Sequence, residues 1–329
     1  METKNIRFIG RHIVKNGNEY FSFSGTGFVF TLVPKASRCS FELSFNSVVN
    51  THEYQYIGIF VDGKEYSRER LPNGHCKVEI SLNIKNPVVV KVIKLNETSL
   101  SALYLLDISL NNCKFGEVPP QKKKIIGFFG DSITCGYGVL EYQGTQFKTE
   151  TEDFTKAYPY LACSELGMDY SIVARSGIGI SIPIYVDKLF GEIYDTVDMH
   201  DKCVFDRKLD YAVINLATND NSGLFQMFKE EERPRELQIL KERYLNLIDR
   251  IIKDNSCVKI VMIYGMIQLT EVIENALEEI FKYASNHYDN EFRILKGKPN
   301  SDGANCHPYW PAQEENAKLL VDLIKEMEH

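Results

Sequence analysis

Ile125-Ile126-Gly127-Phe128-Phe129-Gly130-Asp131-Ser132-Ile133-Thr134-Cys135-Gly136 is the stretch whose reading decides the fold. Its first five residues are apolar or small without alternation. That is the pattern of a short strand covered on both faces, as in a parallel sheet. The glycine, aspartate and serine that follow then fall at a strand-to-helix turn. Outward from it the same signal recurs at Tyr170 to Ala174, Tyr211 to Leu216, Ile260 to Tyr264 and Phe292 to Leu295. Between these runs, Leu237, Leu240, Tyr244, Ile248 and Ile251 fall at helical spacing, as do Ala317, Leu320, Ile324 and Met327. Alternation of buried strands with amphipathic helices predicts an α/β domain of three layers, α/β/α around a parallel sheet, over residues 119–329.

Upstream the pattern is different. Short apolar or alternating runs at Tyr20 to Ser24, Gly27 to Leu32, Ser40 to Phe45, Tyr54 to Val61, Lys77 to Ile80, Val88 to Lys94 and Ala102 to Leu110 are separated by turn residues such as Asn16-Gly17 and Asp62-Gly63. With no helical-period segment among them, residues 1–118 read as an all-β jelly-roll sandwich. Gly116 to Lys124, with its double proline and lysine run, fits a linker or domain edge, its lysines solvated.

Composition narrows the function classes. Of 329 residues, 44% are hydrophobic and 25% charged, which excludes a disordered or fibrous chain. The net charge of −7 disfavours nucleic acid, because neutralising phosphates needs a basic surface. No apolar run approaches the ~20 residues that span a bilayer, so no membrane is expected as a partner. Met1 to Arg7 lacks the basic patch and apolar stretch of a secretory signal, and a cytoplasmic protein is expected, secretion requiring a leader. The eight cysteines form no C-x-x-C pair, so neither a zinc site nor a disulfide scaffold is indicated.

Ligands of open parallel sheets bind beyond the carboxyl ends of the strands, which directs attention to four places. At Ser132 the free N–H groups and positive end of a helix would stabilise an anion forming beside the hydroxyl, although an N-cap would suit the position equally. Asn219, after the third run, can donate an amide N–H to an oxyanion or simply form a turn. Gly177, in Arg175-Ser176-Gly177-Ile178-Gly179, lets a backbone N–H approach a ligand or permits a turn. His307, in Asn305-Cys306-His307-Pro308 just ahead of the last helix, suits a general base on a constrained loop.

These four blocks, in this order, resemble the SGNH, or GDSL-type, hydrolase superfamily. The resemblance implies a Ser132 nucleophile, a His307 base, and an oxyanion hole made of the Ser132 and Gly177 N–H groups and the Asn219 side chain. It gives Asp131 a loop-stabilising role and requires no metal or organic cofactor. A β-sandwich ahead of such a domain is similar to carbohydrate esterase family 2. Ile9-Gly10-Arg11, Ser24-Gly25-Thr26-Gly27, Thr151-Glu152-Asp153-Phe154 and Ala157-Tyr158-Pro159 also echo that family. The substrate this implies is an acetylated carbohydrate: acetylated xylo- or hexo-oligosaccharides, 6-O-acetyl sugars among them. Tyr137 and Trp310, close in sequence to the base and nucleophile, would then stack on a sugar ring or else pack in the core.

The chain departs from the superfamily pattern twice. Ala217 stands where the asparagine block usually has glycine, one methyl more, with little effect expected. Ala304 stands where many members carry an aspartate that orients the histidine. A Ser–His dyad is therefore expected, with a backbone carbonyl holding the histidine tautomer, an arrangement the resemblance to this esterase family allows; Asp302 and Asn305 are the side chains that could serve instead. Two other readings use the same residues: a sugar O-acetyltransferase, if a hydroxyl rather than water takes the acyl group, and a non-catalytic carbohydrate-binding protein whose site has decayed.

Overall fold

The computed structural model describes residues 3–142 and 145–328. Its amino-terminal part holds eleven strands: β1 (Arg7–Ile9), β2 (Ile13–Lys15), β3 (Asn18–Phe21), β4 (Gly27–Pro34), β5 (Arg38–Val49), β6 (Gln55–Val61), β7 (Lys64–Leu71), β8 (Gly74–Asn83), β9 (Val88–Lys94), β10 (Ser101–Asn111) and β11 (Cys113–Phe115). They pair antiparallel in two sheets, one of order β1-β4-β9-β6-β7 with β11 also on β4, the other of order β2-β3-β10-β5-β8. In β8 the alternation is plain: Val78, Ile80 and Leu82 are buried while Lys77, Glu79 and Ser81 face solvent. Between the sheets Phe21, Phe28, Phe30, Phe41 and Phe45 fill the core. The strands that sequence reading passed over are three-residue edges and β7, whose Lys-Glu-Tyr-Ser-Arg-Glu-Arg run is the charged edge strand that discourages further pairing.

The segment after β11 is exposed but tied down. Arg7 Nε donates to the Pro119 carbonyl (3.1 Å), and Lys122 N–H donates to the Asp169 carboxylate (2.9 Å). Five parallel strands follow: β12 (Ile125–Gly130), β13 (Asp169–Ala174), β14 (Tyr211–Asn215), β15 (Lys259–Tyr264) and β16 (Phe292–Lys296), in sheet order β13-β12-β14-β15-β16. Because β12 lies between β13 and β14, the chain changes direction across the sheet there, which opens a crevice at the carboxyl end of β12.

Helices α1 (Ser132–Cys135), α2 (Tyr158–Leu166), α3 (Phe190–Ile193), α4 (Thr218–Met227), α5 (Arg233–Asp254), α6 (Glu271–His287) and α7 (Trp310–Glu326) complete this part. Successive side chains of β12 point to opposite layers. Phe129 joins the core under α5 and α6 with Leu247, Ile248, Ile273 and Ile280, whereas Ile126 and Phe128 join Tyr158, Leu320 and Ile324 under α2 and α7. Ile9, Val29, Phe60, Ile93 and Leu95 of the sandwich belong to this second cluster, so one apolar core runs through both parts of the chain. Phe60 meets Tyr160 across that junction at 5.9 Å between ring centroids.

Candidate active site

Ser132 opens α1 immediately after β12 and is buried. Asp131 caps the helix, its Oδ1 accepting the Ile133 N–H at 3.0 Å. Burial raises this carboxyl to about 7, against the opposing pull of the Ile133 N–H and the Thr218 hydroxyl. The aspartate holds a turn, and the serine is left at the helix end where N–H groups lack intrahelical partners.

His307 Nε2 lies 2.8 Å from Ser132 Oγ. Its other nitrogen, Nδ1, faces two backbone carbonyls, those of Ala304 (3.2 Å) and Asn305 (3.1 Å). A carbonyl can only accept, so Nδ1 carries the proton and Nε2 is the bare acceptor for the serine hydroxyl. This is the tautomer a general base needs. Burial pushes the imidazole below its ordinary value, and the two carbonyls, which favour the charged ring, pull the other way.

The loop geometry behind this is unusual. Asn305 and Cys306 both sit at positive φ, 47° and 61°, folding the chain back so that two carbonyls face the ring. Neither candidate side chain orients the histidine. Asp302 Oδ2 instead accepts from Asn300 Nδ2 (2.8 Å), and Asn305 Nδ2 donates to the Tyr137 hydroxyl (2.9 Å). Asn305 contributes through its backbone. Ala304 is fully buried, its methyl packed so closely on Gly138 that a Cβ added to that glycine would stand 2.5 Å from it.

The other two sites meet Ser132 at the same sheet edge, since Gly130 is in register with Ala174 of β13 and Asn215 of β14. Asn219 is buried in the first turn of α4 and donates one amide hydrogen to the Ile178 carbonyl (2.9 Å), which fixes the amide and leaves its second hydrogen for a ligand. Gly177 has φ +79°, a conformation that a side chain would strain, and a Cβ there would press on Tyr185. Ala217 corrects an expectation. Its φ of 87° puts the extra methyl in the left-handed region, so alanine is strained where glycine would not be.

Tyr137 packs its ring on His307 (centroids 4.4 Å) and on Phe147 (4.0 Å) and so braces the imidazole. Trp310 is 48% exposed at the start of α7, and Tyr185 is 56% exposed beside Gly177. Of the long segment after Ile180, Phe190 and Tyr194 are core residues. The part from Tyr194 to Asp198 packs on the sandwich: Tyr20 OH donates to Asp198 (2.6 Å), and Arg11 Nη1 donates to the carbonyls of Tyr194 (2.5 Å) and Thr196 (3.0 Å).

Sequence reading missed three polar residues of this edge. Asp220 accepts N–H bonds from Ile180, Ser181 and Ile182 (2.7–2.9 Å) and fixes the loop after Gly177. Arg175 Nη1 donates to the Ser176 carbonyl, and Glu97 Oε2 accepts the Ser176 N–H at 2.7 Å. A carboxylate next to Asn219 was visible in the sequence, but nothing around Glu97 signals a partner some eighty positions away. Among the described residues, no group of three or more His, Cys, Asp or Glu side chains could hold a metal ion.

A serine–histidine pair at the carboxyl edge of a parallel sheet is the layout of the α/β/α serine hydrolases as a class. The family model described as GDSL-like lipase/acylhydrolase matches residues 126–321, more than half of the chain, and the protein belongs to that family. Over 145 residues it is 29% identical to the cellulase/esterase CelE of Acetivibrio thermocellus, a match covering 40% of this chain but 17% of that protein's length. Its fold is similar along 98% of its length to that of a family two carbohydrate esterase from Clostridium thermocellum in complex with cellohexaose (TM-score 0.87, 20% identity, 99% of that chain). The acetyl xylan esterase Est2A of Butyrivibrio proteoclasticus is similar over the whole chain (TM-score 0.84, 16% identity, 97% of that chain). The salicylyl-acyltransferase SsfX3 is more distant (TM-score 0.67, 13% identity, 98% of this chain and 96% of that one).

Proposed function

We propose that the protein is a carbohydrate O-acetyl esterase, removing acetyl groups from sugar hydroxyls of acetylated xylo- or hexo-oligosaccharides, 6-O-acetyl groups among them, through a serine acyl-enzyme. The observation that carries this reading is the 2.8 Å contact between Ser132 Oγ and the unprotonated nitrogen of His307. Supporting it are the esterases among the relatives, one of them a complex with a cello-oligosaccharide, and two exposed rings, Trp310 three residues after His307 and Tyr185 beside Gly177, since pyranose faces pack on aromatics.

In this mechanism His307 Nε2 takes the Ser132 proton as Oγ attacks the acetyl carbonyl carbon. The carbonyl oxygen becomes an oxyanion facing the N–H groups of Ser132 and Gly177 and the free amide hydrogen of Asn219. As the tetrahedral centre collapses, the C–O bond to the sugar breaks and His307 returns the proton to the departing sugar oxygen. Water, deprotonated by the same nitrogen, then attacks the acetyl-serine and releases acetate.

The test is acetate release from 6-O-acetylated hexosides and acetyl-xylooligosaccharides. Wild type should release acetate, and Ser132→Ala should lose at least about 10³-fold in kcat. A wild-type protein inert toward every acetylated sugar would sink the reading. Transfer of acetyl to an added sugar in preference to water would recast it as an acetyltransferase.

A further inference from the structure

Glu97 belongs to the sandwich, three residues beyond the end of β9, and is 1% exposed, yet its carboxylate reaches the catalytic edge of the other part of the chain. There its Oε2 accepts the Ser176 N–H at 2.7 Å, and Cys135 Sγ, at the end of α1, lies 3.8 Å from the same oxygen. The turn that carries Glu97 is itself clamped. Lys94 Nζ, fully buried, donates to the carbonyls of Asn96 (2.5 Å) and Glu97 (3.2 Å). Glu152 Oε2 accepts the Glu97 N–H (3.0 Å) and Asn96 Nδ2 (3.2 Å), and Asn96 Oδ1 accepts the Tyr56 N–H (2.6 Å). A carboxylate so firmly mounted is a rigid post.

Ser176 is held on both sides: Glu97 takes its N–H, and the Arg175 guanidinium takes its carbonyl. In a trans peptide the carbonyl and the following N–H point in opposite directions, so fixing the Ser176 carbonyl fixes the direction of the Gly177 N–H. At φ +79° glycine is the most mobile residue type of the loop, and left alone that N–H would sample many directions. We propose that Glu97 is a positioning residue for the oxyanion hole, with the sandwich supplying, together with Arg175, the constraint that aims the Gly177 N–H at the reacting carbonyl. This rests on the esterase reading. It goes further, because it makes the amino-terminal sandwich part of the catalytic apparatus.

The experiment compares kcat and KM for an aryl acetate, and the rate at which a serine-directed phosphonate labels Ser132, in the full chain and its variants. Glu97→Ala should lower kcat about 10- to 100-fold with KM changed less than about threefold, and slow phosphonylation by a similar factor, since both steps load the oxyanion hole. Glu97→Gln, which keeps an acceptor oxygen, should return to within about fivefold of wild type. Arg175→Met should lower kcat about tenfold by freeing the Ser176 carbonyl. Should Glu97→Ala not fold, Glu97→Met, similar in volume but without a carboxylate, serves in its place.

Folded Glu97→Ala or Glu97→Met with kcat within twofold of wild type overturns the proposal, as does loss confined to KM. So does Arg175→Met within twofold. If wild type itself neither cleaves the ester nor takes the phosphonate, the esterase reading fails and the proposal falls with it. Active wild type with silent Glu97 variants removes the proposal alone.

Discussion

At the scale of single residues, the His307 ring is aligned by peptide carbonyls, and on the proposed function this makes a sharp contrast with a triad. Asp302→Ala should keep kcat within about twofold of wild type, whereas a triad that depends on its carboxylate loses up to about 10⁴. Steady-state kinetics on an acetylated sugar decide between them. The same ring predicts a pH profile. His307 must be neutral to accept the serine proton, and burial holds its folded-state pKa below the ordinary imidazole range. The acid limb of kcat/KM should therefore have its midpoint below pH 6.5, activity persisting into mildly acidic solution. A midpoint above 7 would mean that a carboxylate stabilises the charged ring. The four candidate residues were legible as candidates because Ser132, Gly177 and Asn219 each follow a buried strand and His307 precedes the last helix. That a backbone carbonyl could hold His307 followed from the missing aspartate at 304, but which carbonyls do so was not legible, because it depends on two consecutive residues with positive φ, and neither Asn305 nor Cys306 announces that in sequence.

Among the elements, the strands and the helical faces of α5 and α7 followed from periodicity, since burial on both sides of a parallel strand and on one side of a helix imposes it directly. Short edges and loops did not, because tertiary partners decide them. The entry to α4 shows what this means energetically. Ala217 is the residue before the first turn, at φ 87° and ψ −4°, and it is fully buried. Left-handed backbone costs an L-residue about 1–2 kcal/mol, and part of that is offset because alanine restricts the unfolded chain more than glycine does. Ala217→Gly should accordingly stabilise the protein by about 0.5–1 kcal/mol, read as a higher midpoint in denaturant unfolding with unchanged slope. A lower midpoint would show that the methyl's packing outweighs its strain.

The molecule as a whole is less divisible than its sequence suggests. Composition and strand spacing separate a sandwich from an α/β part, but one apolar cluster contains Ile9, Val29, Phe60, Ile93 and Leu95 beside Ile126, Phe128, Tyr158 and Tyr170. Residues 119–329 expressed alone would leave their half of that cluster in water. They should be insoluble, or show loose tertiary packing by near-ultraviolet circular dichroism, with esterase activity at least about 100-fold below the full chain. A soluble, active fragment would show the shared core to be dispensable. The shared core also has a bearing on how the protein is made. The sandwich leaves the ribosome first, and the cluster it shares is not complete until Leu320 and Ile324 of α7 have been translated, about two hundred residues later, which at about 5–20 residues per second is a delay of roughly 10–40 s. Throughout that interval Ile9, Val29 and Phe60 form an uncovered oily face on a nascent chain, the kind of surface that holdase chaperones bind.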